Sequence, residues 1–411
     1  MSELVPKIKF SEFSHKWKHY KLCELSEIRS ASRVHKEQWT ESGVPFFRTS
    51  DVVSAYKGKE NNKAFISIDL FKELSNKSGQ IKKNDLLVTG GGSIGVPYLV
   101  PNNEPLYFKD ADLLWFKNKG IVNDFYLYTF FLTPQFRSHL RRISHTGTIS
   151  HYTIEQAKST PINLPSLIEQ QKIASFLTSV DSKISQLTEK QRLLKEYKKG
   201  VMQQIFSQQL RFKDKDGKDF PEWKYKPLSY LLLEHKCRNK EQKFGKKDVL
   251  SVSGELGVVN QIKHLGRSYA GESVAPYHIV HEGDIVYTKS PLKNNPYGII
   301  KANLGRAGIV STLYAVYSCK KTAYPKHLNY YFSLNDNVNR YLRPLVHKGA
   351  KNDMKINNQR VLIDPIYFPC YNEQIKISNF FEALDTKIRH TQNQIKKTKQ
   401  FKKGLLQQMF V

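Results

Sequence analysis

Hydrophobic spacing along the chain is most regular in two stretches. Alternate steps of four and three residues from Ile173 land on Leu177, Val180, Ile184, Leu187, Gln191, Leu194, Lys198, Val201 and Ile205, eight of ten positions apolar. The same steps from Ile377 land on Phe381, Leu384, Ile388, Thr391, Ile395, Thr398, Lys402, Leu405 and Met409, seven of ten. An apolar stripe at 3.5-residue spacing held this long predicts a coiled coil rather than a globular surface helix. Each helix is expected to run roughly 50 Å at 1.5 Å per residue.

The two stretches are copies of each other. Residues 164–207 and 368–411 align at a constant offset of 204 without a gap, and 16 of the 44 pairs are identical. A stripe alone suggests a dimer, but two matching helices in one chain can pair with each other. The seams are not interchangeable, because Gln191 corresponds to Ile395, and Leu187 and Leu194 to Thr391 and Thr398. Lys198 and Lys402, beside Gly200 and Gly404, put charge where a seam wants apolar groups. Either the packing ends there or another subunit docks there.

The remaining chain forms two blocks of short apolar runs and turn residues, an α/β mixture too irregular for a doubly wound sheet. In the first, residues 44–53 read as a strand followed by a polar turn, and residues 80–95 as a charged turn, a strand at Leu86–Val88 and a glycine-rich loop. Residues 110–118 read as a further strand, and residues 123–144 have helical spacing. The second block keeps the same landmarks in order: Trp17 matches Trp223, Asp85 matches Asp284, Thr89 matches Thr288 and Gly147 matches Gly349. Residues 211–227 are polar and charged with Gly217 and Pro221, and read as a linker.

Charge narrows the partner class. The chain carries 65 Lys and Arg against 37 Asp and Glu, a net +28. Residues 1–163 hold 23 basic against 16 acidic residues and residues 209–363 hold 27 against 13, so the blocks rather than the helices carry the excess. That is an electrostatic footprint for a polyanion, and leaves DNA, RNA and anionic lipid open. Cys23, Cys237, Cys319 and Cys370 form no CxxC pair, which suits a reducing cytoplasm. The N-terminus has no signal-peptide core and no run approaches membrane-spanning length, so a cytoplasmic protein with no membrane partner is expected.

Catalytic patterns fail on inspection. The loop Gly90–Gly95 is followed by Val96 and Pro97, not by the Lys and Ser/Thr of a P-loop. It serves equally as a structural turn or as backbone approaching DNA. Asn294-Asn295-Pro296-Tyr297 is near the tetrapeptide with which amino-methylating enzymes hold a base, but it lacks the second proline and reads as a turn. Asp110 and Asp112 lack a third ligand, and thirteen histidines make no HxH or HExxH pattern, so neither a catalytic nor a metal site is assigned. Candidate DNA contacts are the polar groups of the matched loops: Arg48, Thr49, Ser50, Thr89, Gly91, Ser93, His145, Thr148 and His151 in the first block, and Lys289, Ser290, Asn294, Lys348, Lys351 and Asn352 in the second. Arg and Lys suit guanine O6 and N7 and Asn suits adenine, although each is also an ordinary solvated surface residue.

Two divergent blocks opening near Trp-Lys, each closing on LP or FP, then EQ-x-KI, F-x4-D-x-KI, a long helix and KKG-x2-QQ-x-F, resemble the specificity subunit of type I restriction-modification systems over essentially the whole chain. The resemblance implies an α+β fold, with two α/β target recognition domains separated by two long helices packed as an antiparallel intramolecular coiled coil. The domains would be residues 1–163 and 209–367, the latter opening with the linker at 209–227, and the conserved helices 164–208 and 368–411. It further implies a non-catalytic subunit that reads a split, asymmetric sequence in double-stranded DNA. Two modification subunits using S-adenosylmethionine, and restriction subunits using ATP and Mg2+, would dock on it, and the subunit itself would bind no cofactor. The rivals are a self-sufficient restriction or modification enzyme and a basic coiled-coil scaffold for RNA.

Overall fold

The computed structural model describes residues 5–109, 112–143, 151–292, 294–348 and 354–411. The chain divides into two units, Met1–Thr188 with Asn393–Val411, and Glu189–Gln392. The two apolar stripes are helices Leu167–Phe206 and Tyr371–Gln408. Ile173, Leu177, Val180, Leu187, Val201 and Ile205 of the first are buried, with Ile184 and Leu194 half-buried. In the second, Ile377, Phe381, Leu384, Ile388, Leu405 and Met409 are buried and Ile395 is half-buried. Thr391 is buried too, its hydroxyl donating to the Lys387 carbonyl at 2.9 Å, so the polar seam position carries no unpaired group.

Each unit contains the start of one long helix and the end of the other. In the first, Ile173, Leu177 and Val180 share a core with Leu405, Leu406 and Met409. In the second, Val201, Met202 and Ile205 pack with Ile377, Phe381 and Leu384. Start meets end in both units, so the coiled coil is antiparallel and intramolecular. The seam lysines fall inside this packing and do not end it: Lys402 Nζ lies 2.6 Å from Asp181 Oδ1, and Lys198 Nζ lies 2.6 Å from Asp385 Oδ1. Asp181 and Asp385 are one repeat position, and Lys198 and Lys402 another. Each half-exposed pair is worth about 0.2–1 kcal/mol, against about 1.5–3 kcal/mol for each buried Leu, Ile or Phe. The apolar seam therefore supplies the stability, while the ion pairs, satisfied in one register, select it.

The repeated EQ motif fastens each helix start to its own unit. Glu169 is 2 % and Glu373 0 % exposed. Trp17 Nε1 donates to Glu169 at 3.4 Å, and Trp223 Nε1 donates to Glu373 at 3.2 Å. Gln170 donates to the Pro165 carbonyl at 3.0 Å and accepts the Asn123 backbone N–H at 2.9 Å. Gln374 repeats this with the Pro369 carbonyl at 3.0 Å and the Tyr324 N–H at 2.8 Å. Asn123 and Tyr324 are the N-caps of helices Asp124–Phe130 and Pro325–Tyr331, so one glutamine satisfies an otherwise orphaned donor in each unit. The latches differ in charge compensation. Glu373 also accepts from Arg211 Nη2 at 3.0 Å, a bond that raises the guanidinium pKa, whereas burial raises the Glu169 pKa.

Each unit is built on the same antiparallel sheet. The first orders Ser26–Arg29, Leu113–Asn118, Leu86–Thr89 and Pro97–Leu99, and the second Leu232–Glu234, Tyr314–Cys319, Ile285–Thr288 and Ile299–Ala302. Registers match as well: Phe116 pairs with Ile28 and Leu86, and Tyr317 pairs with Glu234 and Ile285. Asp85 and Asp284 make the same turn before the central strand, each accepting a backbone N–H at 2.8 Å, from Lys82 and His281 respectively. What surrounds the sheets differs. The first unit adds a second four-stranded sheet, Trp39–Thr40, Ala64–Ile66, Val44–Phe47 and Tyr107–Phe108. The second adds the two-stranded pairs Leu250–Ser253 with Gly257–Asn260 and His278–Val280 with Gly308–Val310.

Three local readings change. The polar turn expected after Val44–Phe47 is the start of helix Thr49–Tyr56, because Asp51 accepts the Arg48 N–H at 2.9 Å and so caps it. The helical stretch at 123–144 is two helices, Asp124–Phe130 and Pro134–Ile143, separated where Pro134 has no N–H to continue the first. The end of the expected linker, Lys224–Pro227, is a strand paired with Pro365–Phe368, and Arg211 and buried Trp223 hold the stretch before it to Glu373.

Two consequences are measurable. Reversing Lys198 to Asp, or Asp385 to Lys, should each destabilise the chain by about 1 kcal/mol, and the double reversal should recover most of that loss in a denaturation double-mutant cycle. His327 is 1 % exposed, lies between Phe206 and Trp223, and has its pKa pushed down to about 3 by burial. The unfolded imidazole titrates near 6.5, so below that pH the unfolded chain binds a proton that the folded chain excludes. Stability should therefore be complete above about pH 6.5 and fall toward pH 3, by up to about 1.4 kcal/mol per pH unit. Urea titrations from pH 7.5 to 5 should show this slope, and His327→Leu should flatten it.

Candidate nucleic-acid interface

The matched loops leave equivalent ends of the two sheets. In the first unit, Thr89 ends its strand fully buried, and its hydroxyl donates to the Ser93 carbonyl and accepts the Val96 N–H at 2.8 Å. This threonine staples the glycine loop from inside and faces no solvent. Gly90 and Gly91 approach the Asp112 carbonyl at 2.7 and 3.3 Å. A Cβ on Gly91 would stand 2.6 Å from Asp112 Oδ1, so a side chain there would have to push the Asp112 carboxylate aside. Gly92 and Ser93 are left exposed at the tip.

Neighbouring segments converge on that tip. The Thr49 methyl lies 3.6 Å from where a Gly92 Cβ would stand, and exposed His151 lies 3.7 Å from the corresponding point on Gly91. Lys109 reaches Asp112 at 2.5 Å. Around the tip stand Ser93, Lys109 and exposed Ser50 and His151, while Thr49 contributes its methyl, its hydroxyl being closed off from solvent. Arg48 stands apart in chemistry: its Nε donates to Asp51 Oδ2 at 2.8 Å, Nη2 donates to the Asn62 carbonyl at 2.5 Å, and the guanidinium sits 5.6 Å from the centre of the Trp39 ring. Its Nε and Nη2 are engaged inside the protein, so the guanidinium shapes the helix start. Asn61 donates to Ser50 at 3.3 Å and to Asp51 at 2.8 Å, closing the same corner.

In the second unit, Lys289 and Ser290 follow buried Thr288, with Lys289 half-buried and its pKa lowered by burial, and Ser290 exposed. Asn294 is exposed, its carbonyl held by Asn339 Nδ2 at 3.0 Å. Asn295 is buried, pairs with Leu292 through the backbone and donates to Asn335 at 3.0 Å. The Asn-Asn-Pro-Tyr stretch is a turn returning at Gly298, whose φ of 92° and 2.1 Å approach of a would-be Cβ to the Thr288 carbonyl require glycine. His145, Thr148, Lys351 and Asn352 lie outside the described residues, as do Gly147, Gly349 and Asp110, and Lys348 is described only as backbone in strand His347–Lys348.

Sequence reading missed a concave basic feature. A groove of about 650 Å³ in the second unit is lined by Lys247, Lys263, His264 and Arg306, with Asn260 and Asn303. Asn260 organises one wall, accepting the Lys263 N–H at 3.1 Å as a helix cap and donating to the Lys247 carbonyl at 2.7 Å. Asn303 organises the other, donating to the His281 and Arg306 carbonyls at 3.1 Å. Several donors around one concavity can follow a phosphate backbone. The capped run Asn260–His264 was a readable local signal, but its meeting with Lys247 and Arg306 was not.

Residues 14–196 match the profile of the family described as type I restriction modification DNA specificity domain. A putative type I restriction enzyme specificity subunit of Haemophilus influenzae is 30% identical over 170 residues, covering 41% of this chain and 41% of that protein. The chain thus aligns with less than half the length of this curated relative. The crystal structure of a type I restriction-modification S subunit from M. genitalium has the same fold, with a TM-score of 0.56, 14% identity and 99% of each chain covered. A chain from a structural study of complex assembly and conformational transition in the type I system gives a TM-score of 0.52 at 14% identity, covering 95% of this chain and 96% of that one. Residues 14–196 thus resemble the type I restriction modification DNA specificity domain, and the chain shares along its length the fold of the M. genitalium S subunit.

Proposed function

We propose that this chain is the DNA-specificity subunit of a type I restriction-modification complex, reading an asymmetric, two-part target. The observation that carries this reading is one sheet built twice, with different loops leaving its equivalent strand ends. Identical frames give two readers the same way to approach a duplex, and unlike loops give them unlike half-sites. The first loop is a short glycine turn backed by Thr89 and Asp112; the second is the longer turn from Lys289 to Gly298 beside a more basic unit. An excess of Lys and Arg in both blocks supplies the salt-dependent, sequence-independent part of DNA affinity. Among the described residues no helix is long and apolar enough to cross a membrane.

In this reading the subunit contributes recognition and no chemistry. Methyl transfer from S-adenosylmethionine belongs to two docked modification subunits, and ATP- and Mg2+-dependent translocation and cleavage to restriction subunits. The antiparallel helices are the element both recognition domains share, and their exposed faces are the docking surface. Residues exposed on the glycine loop and around Lys289 address base edges, and the groove at Lys247, Lys263 and Arg306 follows phosphates.

The assembled complex should protect two short DNA segments separated by a constant unprotected gap in a footprint. A single continuous footprint, binding indifferent to sequence at moderate salt, or preferential binding of RNA would overturn the reading. Methyl transfer by the purified chain alone would instead favour a self-sufficient enzyme. Lys263→Ala and Arg306→Ala should weaken binding to all sequences alike and reduce the salt slope by about 1 each. Ser93→Ala and Lys289→Ala should alter base preference in one half-site only, which methylome sequencing of a host carrying the variant system reports directly.

A further inference from the structure

His235, His281 and Asp284 bring three metal-ligating atoms within 4.8 Å of one another in the second unit. His235 directly follows strand Leu232–Glu234, its N–H donating to the Val316 carbonyl at 2.8 Å. His281 and Asp284 belong to the turn between strands His278–Val280 and Ile285–Thr288. Asp284 is 5 % exposed, and its Oδ2 is fixed by the His281 backbone N–H at 2.8 Å. Around that oxygen stand His281 Nδ1 at 3.5 Å and His235 Nδ1 at 3.9 Å, with the rings edge to face at 5.4 Å.

Two independent observations point to a ligand. His235 Nδ1 is shut off from solvent and has no hydrogen-bond partner, a costly state for an imidazole nitrogen aimed at a buried carboxylate. The first unit provides an internal comparison. Its equal register places Arg29 where the second unit has His235, and Lys82 where it has His281, around the same turn carboxylate, Asp85. The turn therefore needs neither histidine for its backbone geometry. The pair is a feature of the second unit alone, and both imidazoles converge on one oxygen.

We propose that His235 Nδ1, His281 Nδ1 and the Asp284 carboxylate form a binding site for a zinc-class divalent transition metal. Ligand atoms about 2.0–2.1 Å from a tetrahedral zinc lie roughly 3.3–3.5 Å apart, so closing the observed 3.5 and 3.9 Å spacings takes only small side-chain shifts. Two imidazoles with one carboxylate suit zinc better than magnesium or calcium, which favour all-oxygen sets. The fourth position opens on the His281 side, where the side chain is 59 % exposed, and water completes it. The ion would tie the end of an edge strand to the turn that launches the central strand. Asp284 and Lys289 flank opposite ends of Ile285–Thr288, so the site is a structural staple and not part of the candidate DNA-reading loop.

The full chain, stripped with a chelator and titrated with Zn2+ by calorimetry, should bind one equivalent that His281→Ala and Asp284→Asn each weaken by more than about tenfold. His281 is largely exposed, and an amide at 284 keeps an acceptor for the His281 N–H, so both variants preserve the turn. Zn2+ should raise the Tm of the unmodified chain and leave that of His281→Ala unchanged, and Co2+ should give a visible spectrum of a low-coordinate site that the variant lacks. Absence of stoichiometric zinc binding, or binding and a Tm rise unaltered in both variants, would overturn the proposal.

Discussion

An amphipathic helix of some forty residues cannot leave its apolar stripe in water, and everything else in this chain is arranged around how that stripe is covered. The chain solves the problem by carrying the stripe twice and packing the start of one copy against the end of the other in each unit. Apolar burial would tolerate several registers, since Leu, Ile and Val interchange with little penalty. The Lys402–Asp181 and Lys198–Asp385 pairs restrict the choice, because a slip of one turn would leave partly buried charges without partners. Both pairs arise from one Asp position and one Lys position of the repeat, each used twice.

The buried EQ motifs carry the same economy into the globular parts. A carboxylate inside a protein is expensive unless its lone pairs are occupied, and Trp17 and Trp223 each bring an indole N–H to it from about 150 residues away. The adjoining glutamines close a helix N-terminus in each unit. These bonds fix where each globular block meets its long helix, which lets the loops at the far strand ends vary without disturbing the join. Divergence is accordingly concentrated there: a glycine turn over Asp112 in one unit, a longer asparagine-bearing turn and a basic groove in the other.

Much of this architecture was legible in the residues. Seam spacing, the 204-residue offset and the ordered landmarks Trp, Asp and Thr give the two helices and the repeated block, because each reports a local periodicity or a shared backbone constraint. Roles of individual polar side chains were far less legible. Arg48 has the composition of a base reader, yet two of its three nitrogens bond to Asp51 and Asn62; Thr89 has a hydroxyl suited to DNA, yet it faces inward to hold Ser93 and Val96. Polar pattern says that a group can bond, and only packing says to what.

The sequence by itself determined that two similar helices exist, that they can pair, and that basic charge resides in the blocks they serve, since periodicity and charge are properties of residue order. Tertiary structure alone decided that the seam lysines meet aspartates from the other copy, that the presumed linker ends in a strand, and that His235 joins His281 and Asp284. These contacts span from 46 to more than 200 positions along the chain. Separation of that length leaves no periodic trace, and contacts of this kind are set by the register in which sheets and helices close.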